Sequence, residues 1–334
     1  MKDFSFFSED TYIYLPSLNN PKVILAISNS AVAKNAFKLY NPFSVKAKIL
    51  KRGSEFFMFF FNRWIPKVGN IKVHQQSNFT NWLEQKLDLE FNVSIYNATD
   101  KNKVVLQLQI EKKIYGYLKF PLTNKGISHI KNEKLAIEIL SKEKIVKPYK
   151  FQGNYNDFPF FILEEVQGSI GELSDSIIEK ILLPLKKTSK FQLKEHPRII
   201  SICKELEGEN LQKYQAKIEA VINRSKAYFY EVYEHGDFTP WNIIQTEKEP
   251  VLFDFEFFVE VGIEYFDLIK YHFQAGRILK KKNHIQLTDY IFNKMNYTEI
   301  KELLILFLIK EIVRVQREGE SSEFQNRMLN YICE

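Results

Sequence analysis

His235-Gly236-Asp237-Phe238-Thr239-Pro240-Trp241-Asn242, followed twelve residues later by Asp254-Phe255-Glu256, is the stretch on which the reading of this 334-residue chain turns. An Asp and an Asn five apart on a tight loop, with a second Asp closing the apolar run Val251-Leu252-Phe253, are the parts needed to hold Mg²⁺ and aim a hydroxyl at a nucleotide phosphate. With residue usage near ~5% per type, such a pattern arises by chance in on the order of one random chain in a thousand. The competing reading makes Asp237 and Asn242 turn formers and Asp254 a helix cap. The combined spacing favours phosphoryl transfer.

These residues resemble those of the aminoglycoside phosphotransferase and choline kinase-like family, relatives of the eukaryotic protein kinases. Gly236 stands where protein kinases carry Arg, and Glu256 where they carry the Gly of Asp-Phe-Gly; both favour the small-molecule branch. The resemblance covers roughly residues 89 to 320. It implies an α+β, bilobal protein kinase-like fold, with a small antiparallel-sheet N-lobe, a mostly helical C-lobe and an N-terminal α/β extension. The expected divisions are 1–88 for the extension packed on the kinase core, 89–167 for the N-lobe, and 168–334 for the C-lobe with its catalytic and metal-binding loops.

By resemblance, Asp237 would accept or orient the proton of the attacking hydroxyl, while Asn242 and Asp254 would bind Mg²⁺ bridging the phosphates of ATP. Hard oxygen ligands suit that cation. His235 is expected to pack and orient backbone, since Asp237 already fills the place of a base. Asp267, in Asp267-Leu268, resembles the family's Asp at the start of a C-lobe helix; it is read as structural, either accepting hydrogen bonds from the catalytic-loop backbone or serving as an ordinary helix N-terminal carboxylate.

The nucleotide side rests on two further readings. Lys119 lies in Tyr115-Gly116-Tyr117-Leu118-Lys119-Phe120, alternating in phase with Tyr115 and Tyr117, so the period places it on their face. Glu133 sits three after Ile130 and four before Ile137, on the apolar face of the next helix, with Glu138 on the other side. An acid on a buried face needs a cation. Lys119 is the candidate, and the resemblance pairs the same two positions as the anchor of the α- and β-phosphates. The resemblance also reads Phe160 to Gly168 as the last N-lobe strand and hinge, with the Glu164 carbonyl and the Val166 amide on the adenine.

Strands are expected at Thr11 to Leu15, Lys22 to Ser28, Phe91 to Tyr96 and Val104 to Ile110. Helical patterns run over Ala31 to Tyr40, Val45 to Phe60, Ser174 to Leu183, Asn210 to Tyr230, Tyr265 to Lys281 and Glu299 to Gln316, with Ser174 as an N-cap and Pro184 as a stop. The run Phe56 to Phe61 reads as packing. The hairpin loop between Phe91 and Lys103 carries no glycine, unlike a phosphate-covering loop, which predicts looser phosphate contacts.

Composition sets the remaining bounds. With 45% hydrophobic and 26% charged residues the chain reads as globular, and its longest apolar runs are too short for a membrane span. The N-terminus lacks a secretory pattern. Cys203 and Cys333 form neither a metal spacing nor a disulfide framework, so a cytoplasmic setting is expected. A net charge of +6 with scattered Lys reads as a solvated surface, without nucleic acid as a partner. The oligomeric state is not fixed by any of this.

The leading reading is therefore an ATP- and Mg-dependent kinase whose partner is a small-molecule hydroxyl acceptor: a sugar, aminoglycoside, amino alcohol or related metabolite. A polycationic aminoglycoside would call for a carboxylate-lined pocket, for which Glu205, Glu207 and Glu209 are available. The alternatives are a catalytically weak pseudokinase or nucleotide-binding regulatory module, favoured only by the Gly-free loop, and a protein kinase, opposed by Gly236, Glu256 and the short connection from Asp254 to Asp267.

Overall fold

The computed structural model describes residues 4–39, 70–97, 102–208 and 211–334. The expected helix at Val45 to Phe60, the aromatic run Phe56 to Phe61, most of the Gly-free loop and Glu209 lie outside the described residues. The chain is α+β and divides into two compact units, Met1–Ile137 with Lys147–Glu165, and Glu138–Val146 with Val166–Glu334.

The first unit is built on one eight-stranded sheet. In chain order its elements are β1 (Asp10–Leu15), β2 (Val23–Ala26), α1 (Ser30–Ala36), β3 (Ile71–His74), α2 (Asn78–Leu87), β4 (Asn92–Asn97), β5 (Lys103–Ile110), β6 (Lys113–Pro121), α3 (Asn124–Lys142, in this unit as far as Ile137), β7 (Phe151–Tyr155) and β8 (Phe158–Leu163). The strand order is β3-β1-β2-β4-β5-β6-β8-β7, and every neighbouring pair is antiparallel. Residues before position 89 thus supply three of the eight strands, joined to the rest where Val23 pairs with Tyr96 and Ile24 with Ile95.

Period-two alternation gives this sheet two different faces. Val93, Ile95, Leu106, Leu108, Leu118, Phe120 and Phe160 bury one face against Phe6 and against Phe79 and Leu83 of α2. The other face carries Phe161, on which α3 lays Ile130 and Ile137. Helix ends are capped locally: Asn29 accepts from the amides of Ala31 and Val32 at α1, Ser77 from Thr80 at α2, and Thr123 from Gly126 at α3. One expectation about the sheet needs correction. A bulge between Leu108 and Gln109 breaks the phase of β6, so Tyr115 packs with the α2-side cluster while Tyr117 and Lys119 stay on the α3 side.

The second unit contains β9 (Ser169–Ile170), α4 (Asp175–Leu182), β10 (Lys186–Gln192), α5 (Pro197–Gly208), α6 (Gln215–Arg224), β11 (Tyr228–Glu234), β12 (Ile243–Gln245), β13 (Val251–Leu252), β14 (Val259–Ile263), α7 (Phe266–Gln274), α8 (His284–Lys294), α9 (Ile300–Arg317) and α10 (Glu323–Cys333). Two small sheets, ordered β10-β11-β14 and β13-β12-β9, accompany the helices. Leu303 to Ile309 of α9 are buried on every side, because α9 runs through the cluster formed by Ile199, Ile218, Phe273, Leu287 and Met328. Among the described residues no helix is long and apolar enough to cross a membrane.

The helix expected over Asn210 to Tyr230 is shorter than its pattern. α6 ends at Arg224, and β11 begins at Tyr228, where Phe229 and Val232 turn into the core against β10 and β14. Cross-strand pairing there overrides the apparent helical spacing. Ser174 occupies the N-cap of α4, yet its hydroxyl meets Ser176 rather than a backbone amide. Pro184 falls within a 3-10 turn, Leu183–Leu185, that follows α4.

Candidate active site

β11 delivers the chain to His235 and β12 takes it away after Asn242, so the site begins as the short connection between two strands. Gly236 adopts φ 78°, and a Cβ at that position would run into the Phe257 carbonyl. Only glycine satisfies both conditions. His235 donates its backbone N–H to Asp267 Oδ2 at 2.7 Å, and Gly236 donates to Asp267 Oδ1 at 3.0 Å. Of the two readings open for Asp267, the geometry is that of a carboxylate holding the loop. Burial, with the Glu234 carboxylate nearby, pushes the Asp267 carboxyl up, while the two N–H donors and Lys310 pull the other way.

The His235 ring lies beneath the loop. Its Nδ1 accepts from the Asp237 amide at 3.3 Å, so Nε2 carries the proton it shares with the Phe253 carbonyl at 3.0 Å. This neutral tautomer ties the loop to the segment that brings in Asp254.

Asn242 closes the loop onto Asp237. Its Nδ2 donates to the Asp237 carbonyl at 2.9 Å and to Asp237 Oδ2 at 3.0 Å, which requires the spacing of five between them. β12 and β13 pair Ile243 with Leu252 and Ile244 with Val251, and the Phe253 amide donates to the Asn242 carbonyl at 3.2 Å. Asn242 and Asp254 therefore leave the same end of one hairpin. Asp254 has φ 67°, a left-handed backbone that a non-glycine residue adopts at a cost of roughly 1–3 kcal/mol. Among the described residues no three His, Cys, Asp or Glu side chains converge as a preformed metal cage. One amide oxygen and one carboxylate at a hairpin end suit Mg²⁺, which takes few protein ligands and completes its shell with phosphate and water.

A buried charge network, not anticipated from the sequence, lies behind the loop. Lys270 of α7 is wholly buried, with Nζ 2.7 Å from Glu311 Oε2 and 3.2 Å from Asp237 Oδ1. Glu311 also meets Arg314 at 3.0 Å and Lys310 at 3.6 Å, and Lys310 reaches Glu234 at 2.5 Å. Burial alone would push the Glu311 carboxyl up, but Arg314, Lys270 and Lys310 outweigh it and hold the carboxyl far below its ordinary value. The available signal was a charged residue inside an apolar helical run, at Lys270 and again at Lys310-Glu311. Each requires a partner.

In the first unit, Lys119 Nζ lies 2.6 and 2.9 Å from the two Glu133 oxygens, with Lys119 6% and Glu133 1% exposed. α3 brings Glu133 to the sheet between Ile130 and Ile137, on the face where β6 presents Lys119 beside Phe161. Glu164 and Val166 follow β8 in residues 164–168, which belong to no helix or strand, and the exposed Glu164 side chain pairs with Lys147 at 2.9 Å. Glu205 is engaged by Arg198 and Arg317, which accounts for its charge without a ligand. A cavity of about 300 Å³ between α4, β11 and the start of α7 is lined by Leu182, Val232, Tyr233, Tyr265 and Asp267; Asp237, Asn242 and Asp254 are not in its wall.

No protein-family profile and no curated protein matches the chain. It is similar to solved structures of an ethanolamine kinase from Plasmodium vivax (14% identity, 92% of this chain and 94% of that one, TM-score 0.41). It is likewise similar to an aminoglycoside phosphotransferase from Streptomyces rimosus (13%, 71% and 98%, 0.44) and to a choline kinase from Cryptosporidium parvum (12%, 73% and 88%, 0.40).

Proposed function

We propose that this chain is an ATP- and Mg²⁺-dependent small-molecule kinase that phosphorylates a hydroxyl of a sugar, aminoglycoside, amino alcohol or related metabolite. The observation that carries the reading is the loop closed by Asn242 on Asp237, with Asp254 at the end of the same hairpin.

In the proposed reaction the acceptor oxygen forms a bond to the γ-phosphorus as the bond from that phosphorus to the β,γ-bridging oxygen breaks. ADP departs with the electron pair, and the hydroxyl proton passes to Asp237. Bound Mg²⁺ would neutralise phosphate charge, held by the Asn242 amide oxygen and the Asp254 carboxylate. Lys119, steadied by Glu133, would contact the α- and β-phosphates. The Glu164 carbonyl and Val166 amide would meet adenine. Position and charge account for most of such a reaction, and on this reading the chain's own groups would supply both.

The test is a panel of hydroxylated metabolites scored for ADP release, with the added phosphate identified by mass. Asp237→Ala is expected to lower turnover at least about 100-fold while MgATP affinity stays near wild type. Asp254→Ala is expected to lose the Mg²⁺-dependent part of nucleotide binding, read by titration with and without a chelator. Wild-type turnover in both variants would overturn the roles of Asp237 and Asp254. MgATP stabilisation without phosphate transfer to any acceptor would favour a non-catalytic nucleotide-binding module.

A further inference from the structure

Lys270 has no exposed surface and is set against the one carboxylate to which proton transfer is assigned. It lies one helical turn after Asp267 on α7, so the helix that anchors the loop backbone through Asp267 also sends an ammonium to the loop's side chain. Being 0% exposed, Lys270 cannot touch an acceptor or a phosphate. Glu311, its nearer partner at 2.7 Å, is also met by Arg314 at 3.0 Å and by Lys310 at 3.6 Å, so Lys270 is not the sole cation on Glu311. Lys270 also engages Oδ1 of Asp237 at 3.2 Å, whose Oδ2 is already taken by Asn242.

We propose that Lys270 is a positioning residue for phosphoryl transfer, pinning the Asp237 carboxylate at one oxygen while Asn242 pins it at the other. This inference rests on reading Asp237 as the proton acceptor. A carboxylate held at both ends loses its freedom to turn about the bond joining it to the side chain, so an arriving hydroxyl meets an oxygen in a fixed direction. The gain is in aim, which governs a loose phosphoryl transition state more than basicity does.

The experiment compares wild type, Lys270→Met, Lys270→Arg, Asp237→Ala and the Asp237→Ala/Lys270→Met double variant, using MgATP turnover with water or a panel acceptor. Affinity is read separately with the β,γ-imido analogue of ATP plus Mg²⁺, and folding by thermal unfolding. Lys270→Met is expected to lower kcat per folded molecule about tenfold or more, with analogue affinity and KM for ATP within about threefold. Lys270→Arg should recover part of the loss, and Lys270→Met should add nothing to Asp237→Ala. A kcat reduced less than about fivefold, a loss carried by nucleotide affinity, or a further loss on top of Asp237→Ala would each overturn the proposal. If Lys270→Met does not fold, Lys270→Met/Glu311→Gln, which removes one charge of each sign, takes its place under the same criteria. Should Asp237→Ala itself turn over normally, the reading of Asp237 falls and the role of Lys270 with it. An inactive Asp237→Ala beside a normal Lys270→Met would remove the role of Lys270 alone.

Discussion

A carboxylate that takes the amides of His235 and Gly236 on its two oxygens fixes consecutive peptides of the loop at once. Truncating it leaves two buried N–H groups without acceptors, so Asp267→Ala should cost about 2–5 kcal/mol in denaturant unfolding. A loss below about 1 kcal/mol would mean that the loop holds its own shape. Gly236→Arg should also destabilise, by at least about 1–3 kcal/mol, since the backbone is left-handed and the Phe257 carbonyl occupies the space a side chain needs. At this scale the sequence was informative where spacing is chemical: the interval from Asp237 to Asn242 is the reach of one amide across one turn. Lys270 was not legible, because its partner Glu311 lies 41 residues away on another helix and only tertiary packing brings them together.

Between elements, the ion pair of Lys119 and Glu133 joins strand to helix across a nearly dry interface. Removing one partner strands the other charge, so Lys119→Met should destabilise by about 3–5 kcal/mol, whereas Lys119→Met/Glu133→Leu should recover most of that. Equal losses in the single and double variants, measured by denaturant unfolding, would count against a charge-pair origin. The pair could be anticipated from Ile130, Glu133 and Ile137 because helical period and burial agree there. Elsewhere local period misled or was silent. Ile218, Val221 and Phe229 can be laid on one helical stripe, yet Phe229 belongs to β11. β3 is four residues with little burial, and its place is set by β1, some sixty residues earlier, which no window of sequence contains.

For the whole molecule, two expectations concern what the chain tolerates. Deleting residues 1–88 would strip three strands, α1 and α2 from the first unit, exposing β4 as an edge and uncovering Phe120 and Phe160. Such a truncation should be insoluble or lack a cooperative thermal transition; a soluble, cooperatively melting fragment would mark the segment as an appendage. Acid should also weaken the fold through His272, whose imidazole burial pushes down from 6.5 to about 4, with Lys294 and Lys280 adding to that and Asp175 opposing it. A depressed histidine contributes stability that is complete above its unfolded value, so the loss develops as pH falls from 6.5 toward 4. His272→Phe should flatten that window in unfolding measured against pH. The order of the sheet has a further effect during synthesis. β2 must wait for β4 before its open side is covered, and β6 waits for β8, so the ladder cannot close until Leu163 has left the ribosome. A nascent chain stalled short of that point presents a bare strand edge, and this is where a chaperone would grip it or a second copy would begin to aggregate.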